Sequence, residues 1–339
     1  MKGLFLLFTL SLSLSGNSFA YEDSECIVTR AAFDIGSGTT KMKVAKVDQC
    51  EQKIIEMLLE KEAKVPYKEE LKQSEDNLIE KHVLNRGVDA LLSMKTEAQA
   101  FSPSLYIGVA TSAFRTANNG ELAKKIIEEK TGIKIKVIDQ VTEAQIGFAA
   151  ASDLVEAPLD KIVVWDIGGG SMQMSTLTES KELEIYNGKV ASVSFKNHII
   201  ENVQFKSLTE TQTPNPMSSA DYNLARRDAF AIAALTTSRK LRDKILKEDS
   251  VIIGIGGVHF YSIASNVSTN SYYTKDQVNN KIAENLGKTD LEIGGEYAAT
   301  DLSNLVLVKG FMDALQIESV HVGNINLATG LLLAPKFAE

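Results

Sequence analysis

The sequence has only two cysteines, Cys26 and Cys50, and four histidines in 339 residues. Two thiols are too few for an ordinary zinc site, and His82, His198, His259 and His321 fit no metal spacing such as H-E-x-x-H. Positive charge is in deficit: 36 Lys and Arg stand against 44 Asp and Glu, a net charge of −8. That balance argues against nucleic acid or an anionic membrane as the main partner. After the first residues no apolar run approaches the ~18 that a spanning helix needs. Neither G-x-x-x-x-G-K-S/T nor G-x-G-x-x-G occurs, which excludes the P-loop and Rossmann ways of holding a nucleotide. Ser37 and Ser171 lack a histidine-aspartate context, which argues against a serine hydrolase.

What is present begins with a leader. Lys2 precedes an apolar stretch from Leu4 to Leu14, and small and polar residues lead to Ser18-Phe19-Ala20. This is the pattern of a secretory signal peptide over residues 1–20. A secreted or periplasmic protein starting near Tyr21 is expected, with no membrane attachment after cleavage. Cys26 and Cys50 lie equally far from the midpoint, near residue 38, of a hairpin whose first strand ends at Asp34 and whose second runs Lys41–Val47. In an oxidising compartment that placement favours a disulfide over two free thiols.

Short apolar strands alternate with helical patterns, the signal of an α/β fold. Strands are expected at Arg30–Asp34, Lys41–Lys46, Ile54–Lys61, Leu105–Val109 and Ile133–Ile138, with helices near 75–98 and 120–130. The second half repeats the order: strands at Ile162–Asp166, Gln173–Thr178 and Leu183–Tyr186, then a long helix over 219–246. Leu224, Ile232, Leu235, Leu241 and Ile245 define the buried face of that helix. The strand Val251–Ile255, a helix at 300–314, the strand Ser319–Val322 and a helix at 325–333 follow. The chain is longer than one core usually organises, so two domains are expected, 21–141 and 142–324.

One pattern occurs twice. "FDIGSGTTKM" and "WDIGGGSMQM" both read Asp-Ile-Gly-x-Gly-(Ser/Thr)-x-x-Met, each at the end of an apolar strand. Backbone N–H groups can reach a phosphate only where no Cβ intervenes. Gly36 and Gly38 in the first loop and Gly168, Gly169 and Gly170 in the second supply that approach, and Thr39 and Ser171 add hydroxyls. Asp34 and Asp166 would repel a polyanion unless a cation lies between, which Mg²⁺ or Mn²⁺ can do when held by carboxylates and phosphate oxygens.

Four segments carry a resemblance to a known family: "FDIGSGTTKM"; "GVATSAFRTANN"; "VIDQVTEAQIGFAAA" with "VVWDIGGGSMQM"; and "LVLVKGFMDALQIESVHVGNINLATGLLL". In this order they resemble the exopolyphosphatase / guanosine pentaphosphate phosphatase family of the actin-like superfamily. The resemblance implies two actin-like, ribonuclease H-like domains with mixed five-stranded sheets flanked by helices, a cleft between them, and a closing helix at 325–339 packed on the first domain. It implies that Glu143 is the general base, that Arg115 faces the substrate phosphates, and that Asp166 holds metal. Asp34, Gly36, Ser37, Gly38 and Thr39 match the first phosphate loop, and Gly168, Gly169, Gly170 and Ser171 the second. Gly256 and Gly257 resemble the family's glycine-rich turn.

The activity implied is hydrolysis of polyphosphate or a nucleoside polyphosphate with Mg²⁺ or Mn²⁺, and a homodimer is among the assemblies open to it. Two departures stand out. Gly38 replaces an Asn of the family pattern, and Gln173, at a metal position, replaces an acid. A binding protein without turnover and an apyrase-like nucleotide hydrolase therefore remain alternatives.

Overall fold

The structure is a computed structural model that describes residues 26–151, 154–267 and 271–338; the leader reading for residues 1–20 lies outside them. The first sheet contains β1 (Ile27–Ile35), β2 (Thr39–Asp48), β3 (Lys53–Lys64), β4 (Leu105–Ala110) and β5 (Lys134–Val137), in the order β3-β2-β1-β4-β5. The second contains β6 (Ile162–Ile167), β7 (Met172–Leu177), β8 (Leu183–Gly188), β9 (Val251–Ile255), β10 (Tyr272–Thr274) and β11 (Ser319–Val322), in the order β10-β11-β9-β6-β7-β8. In both, an antiparallel meander is followed by parallel neighbours. These are the two mixed-sheet α/β units of the actin-like plan.

The second sheet has six strands where five are expected. The extra strand β10 is three residues pairing antiparallel with β11 at the edge, too short to show a period. Two helices also differ from expectation. The stretch 219–246 is two helices, Ser219–Thr236 and Arg239–Ile245, because the hydroxyl of Ser238 accepts from Leu241 N–H and starts a new one. Leu241 and Ile245 of the second helix are buried as expected and Ile232 packs on the same core, but the buried stripe of the first is Ala225, Ala229 and Ala233, while Leu224 and Leu235 are exposed. The cause is close packing: a Cβ at Gly310 of helix Ala298–Leu315 would lie 2.4 Å from the Cβ of Ala229, so only small side chains fit that seam. The stretch 75–98 is helical only as Lys81–Ala98.

Cys26 and Cys50 form a disulfide, Cα–Cα 5.5 Å, across the open end of the β1–β2 hairpin. Trp165 is fully buried, its ring 4.8 Å from His259 and 5.8 Å from Phe311, and forms the centre of the second core. The last helix, Leu327–Leu333, packs on β1 and β2, with Leu331 and Leu332 in a cluster with Ala32, Val47 and Ile107. Arg30, buried in β1, donates to the carbonyl of Leu332 at 2.7 Å.

The helix Gln140–Ala151 lies between the sheets. Its Ile146 belongs to the core under the first sheet, and Phe148 and Ala151 pack against Ile162, Val164 and Ile253 of the second. Gly330 lets the last helix cross it closely, since a Cβ there would lie 2.5 Å from the Ile146 carbonyl. This wedge position brings the first turn of the helix to the floor of the cleft.

Candidate functional site

The two glycine loops have one hydrogen-bonding plan. Gly36 N–H donates to Thr39 O at 3.1 Å, and Gly168 N–H donates to Ser171 O at 2.9 Å, closing each strand-to-strand turn. The carbonyls of Ser37 and Gly38 accept from Lys68 and Val65; those of Gly168 and Gly169 accept from Ser192 and Val193. The N–H groups of Ser37, Gly38, Gly169 and Gly170 have no partner among the described residues. Fixed carbonyls with free N–H groups make an anion-binding surface.

The loops meet across the cleft. A Cβ at Gly170 would lie 2.6 Å from the Ser37 hydroxyl and 2.8 Å from that of Ser112, whose Oγ donates to Gly170 O at 3.1 Å. The Ser37 hydroxyl is itself buried without a partner. The cleft they bound has a volume of about 370 Å³, and Thr39, Gly256 and Gly257 line it with the loops.

Three carboxyls converge on this floor. Asp34 and Asp166 stand at the ends of β1 and β6, the first buried and the second partly buried at the cleft, and neither accepts a hydrogen bond from the described residues. Burial raises the Asp34 carboxyl above its ordinary range, with Lys41 opposing. Burial raises Asp166 well above it, and Glu143 and Asp34 push in the same direction. Glu143 is raised to about 7, first by burial and then by Asp34, while Arg115 and Ser171 pull it down.

Both oxygens of Glu143 are held. Arg115 Nη1 lies 3.1 Å from Oε2, and Ser171 Oγ donates to Oε1 at 3.3 Å. Arg115 also donates to the Ile138 carbonyl at 2.7 Å and is not among the residues lining the cleft. Its other nitrogen lies 3.5 Å from Ser171 Oγ, so the guanidinium braces both Glu143 and Ser171. Asp139 caps this helix by accepting from Thr142 N–H at 2.7 Å.

Gln173 lies directly opposite Asp166 in the β6–β7 register. It is buried, and its amide oxygen and nitrogen have no partner. Gly256 has φ +84°, and a Cβ there would lie 2.5 Å from an Asp166 oxygen; glycine is required on both counts. Lys41 and Lys196 escaped sequence reasoning. Lys41 sits opposite Asp34 in the β1–β2 register, and alternation along β2 was the available signal. Lys196, on helix Ser192–His198, lines the cleft and pairs with Glu69 of the first half at 2.6 Å; nothing local marked that pair. His259 is core, its Nδ1 2.7 Å from the Tyr273 hydroxyl, and burial lowers its ring to about 3.

The family model of the Ppx/GppA phosphatase family matches residues 44–213, a span that includes Glu143 and the whole second loop. The chain belongs to this family. Its activity class is accordingly that of a phosphoanhydride hydrolase, and enzymes of the family depend on a divalent metal. Solved structures agree on the fold. An exopolyphosphatase from Cytophaga hutchinsonii has TM-score 0.70 at 16% identity, covering 90% of this chain and 96% of that one. An Aquifex aeolicus PPX-GPPA enzyme has TM-score 0.69 at 16% identity, covering 91% and 99%. An exopolyphosphatase-like protein has TM-score 0.70 at 16% identity, covering 91% and 97%.

The residues fit a divalent cation. Two carboxylates at the cleft floor without hydrogen-bond donors are both raised, Asp34 by burial and Asp166 by burial and the nearby Glu143 and Asp34, and either a proton or a cation must compensate them. Oxygen-only donors of this kind suit Mg²⁺ or Mn²⁺.

Proposed function

We propose that this protein releases phosphate from inorganic polyphosphate or a nucleoside polyphosphate, in the secreted or periplasmic compartment that its leader indicates. Glu143 carries the reading. A buried carboxyl that titrates near 7, fixed on both oxygens beside two anion-binding loops, is suited to take a proton from an attacking water. Arg115 acts as a positioning residue, holding Glu143 in place. The free N–H groups of Ser37, Gly38, Gly169 and Gly170 bind phosphate oxygens, and Ser171 links that cradle to the base. A divalent cation at Asp34 and Asp166, with Gln173 as a neutral neighbour, would offset the charge of the phosphates. Gly256 gives Asp166 its room.

The test is direct. Mature protein with Mg²⁺ or Mn²⁺ is given polyphosphate, ATP, ADP and guanosine pentaphosphate, and phosphate release is compared with that of Glu143→Ala. Release that the variant loses is the expected result. No release above the variant on any substrate, with binding retained, would make the chain a binding protein.

A further inference from the structure

We infer that the ion pair between Lys196 and Glu69 sets the spacing of the two glycine loops, so that both side chains are positioning residues. The inference takes from the proposed function only that the loops form a phosphate cradle.

Backbone hydrogen bonds tie the pair to both loops. In the first half, Ser37 O accepts from Lys68 N–H at 2.9 Å on helix Tyr67–Gln73, and Glu69 is the next residue. In the second, Gly169 O accepts from Val193 N–H at 2.9 Å at the start of helix Ser192–His198. Lys196 follows about one helical turn later, and its Nζ donates to Glu69 Oε1 at 2.6 Å. The connections close a ring from loop to helix, across the ion pair, and back through the other helix to the other loop. At the centre of that ring the loops touch. A Cβ at Gly169 would lie 3.2 Å from the Ser37 Cβ and 3.4 Å from Gly38 N.

Burial keeps the pair formed. The Lys196 side chain is 4% exposed and that of Glu69 31%, and Glu69 is the one partner of the ammonium among the described residues. A buried ammonium that loses its counter-ion is costly, so separating the two helices carries a penalty that the loops alone would not impose. Among the described residues no other ion pair joins the two halves, apart from Arg115 with Glu143 on the wedge helix. Both residues line the cleft. A direct phosphate contact by Lys196 is therefore the competing role, and the two roles differ in sign at Glu69.

The experiment measures binding of inorganic tripolyphosphate with Mg²⁺ by calorimetry on a Glu143→Gln background. Glu69→Gln and Lys196→Met should each weaken binding about tenfold, and the double variant should lose no more than either single one. Exchanging the charges, Glu69→Lys with Lys196→Glu, should recover most of the loss. A direct contact by Lys196 predicts the reverse for Glu69→Gln, which would free the lysine and tighten binding. Tighter or unchanged binding in Glu69→Gln, or costs that add in the double variant, overturns the inference. Should Lys196→Met fold poorly, a second measurement reads the spacing without ligand. Spin labels at Gln73→Cys, on the first helix, and Phe205→Cys, just beyond the second, stand at exposed positions, and the two native cysteines are bonded to each other. Pulsed electron resonance should give a longer or broader label distance in Glu69→Gln than in the background protein; identical distances overturn the spacing role. Absence of tripolyphosphate binding in the background protein would remove the cradle reading instead, and the label distances would then decide the role of the pair by themselves.

Discussion

Lys41 faces Asp34 across the β1–β2 pair, and Gln173 faces Asp166 in the same way across β6–β7. Directly opposed residues in antiparallel strands lie on one face with Cβ atoms about 5 Å apart, so on its antiparallel side each loop aspartate has a fixed neighbour. For Asp34 that neighbour is a cation, and for Asp166 it is a neutral amide. Replacing the amide by an acid, Gln173→Glu, should tighten Mn²⁺ binding about tenfold and lower the melting temperature of the ion-free protein, because a further buried carboxylate then needs compensation. Calorimetric titration checks the first effect; unchanged affinity would place Gln173 outside the reach of the ion.

Glu143→Gln should lower phosphate release by at least about a hundredfold, the usual contribution of a positioned base. Arg115→Met should cost less, about tenfold by the same scale, and its signature is in pH. Arg115 holds the Glu143 carboxyl down, so without it the rising limb of the pH–rate profile moves to higher pH. A profile that keeps its midpoint would assign Arg115 a purely structural role.

Stability should also follow pH, with a definite sign. Glu143 is raised to about 7 in the fold, and Asp34 and Asp166 are raised as well. Through this range the fold binds more protons than the unfolded chain. The stabilising contribution is full below the ordinary carboxylate range and is lost as pH rises through about 7. Melting temperature in chelator should therefore fall between pH 5 and pH 8, roughly the window of these shifts, and Mg²⁺ or Mn²⁺ should flatten the fall. Glu143→Gln should make the slope shallower; an unchanged slope would show that Glu143 does not titrate there.

Gly256→Ala meets two obstacles at once, φ +84° and an Asp166 oxygen 2.5 Å from the new methyl group. The backbone strain alone costs about 1–3 kcal/mol, and Asp166 must move. Denaturant midpoints should drop and divalent affinity should weaken together. A stability loss with unaltered ion affinity would separate the turn from the site.

Removing the Cys26–Cys50 disulfide by paired serine substitution should cost about 2–4 kcal/mol of stability. The bond ties the hairpin end remote from the loops, so phosphate release at low temperature should persist. A parallel loss of activity would couple the hairpin end to Asp34.

Much of this was legible because it is local. The strand-to-glycine-loop units, the acids at strand ends and the cysteine pairing all depend on residues within one hairpin, where register settles who faces whom. The face of helix Ser219–Thr236 was misread because Leu looks more buried than Ala until a second helix must approach closely. Strand β10 was missed because it exists only through its neighbour.

The sequence alone determined the two Asp-Gly loops, the α/β order of elements and the family to which they belong. Tertiary structure decided what surrounds the acids. Helix Gln140–Ala151 is wedged between two sheets, and only that packing brings Glu143 to Arg115 and Ser171. The pairing of Lys196 with Glu69, and the bond from Asn304 to Ser262, likewise join segments distant along the chain. Such contacts have no period or spacing to announce them, because they arise where separately folded surfaces meet.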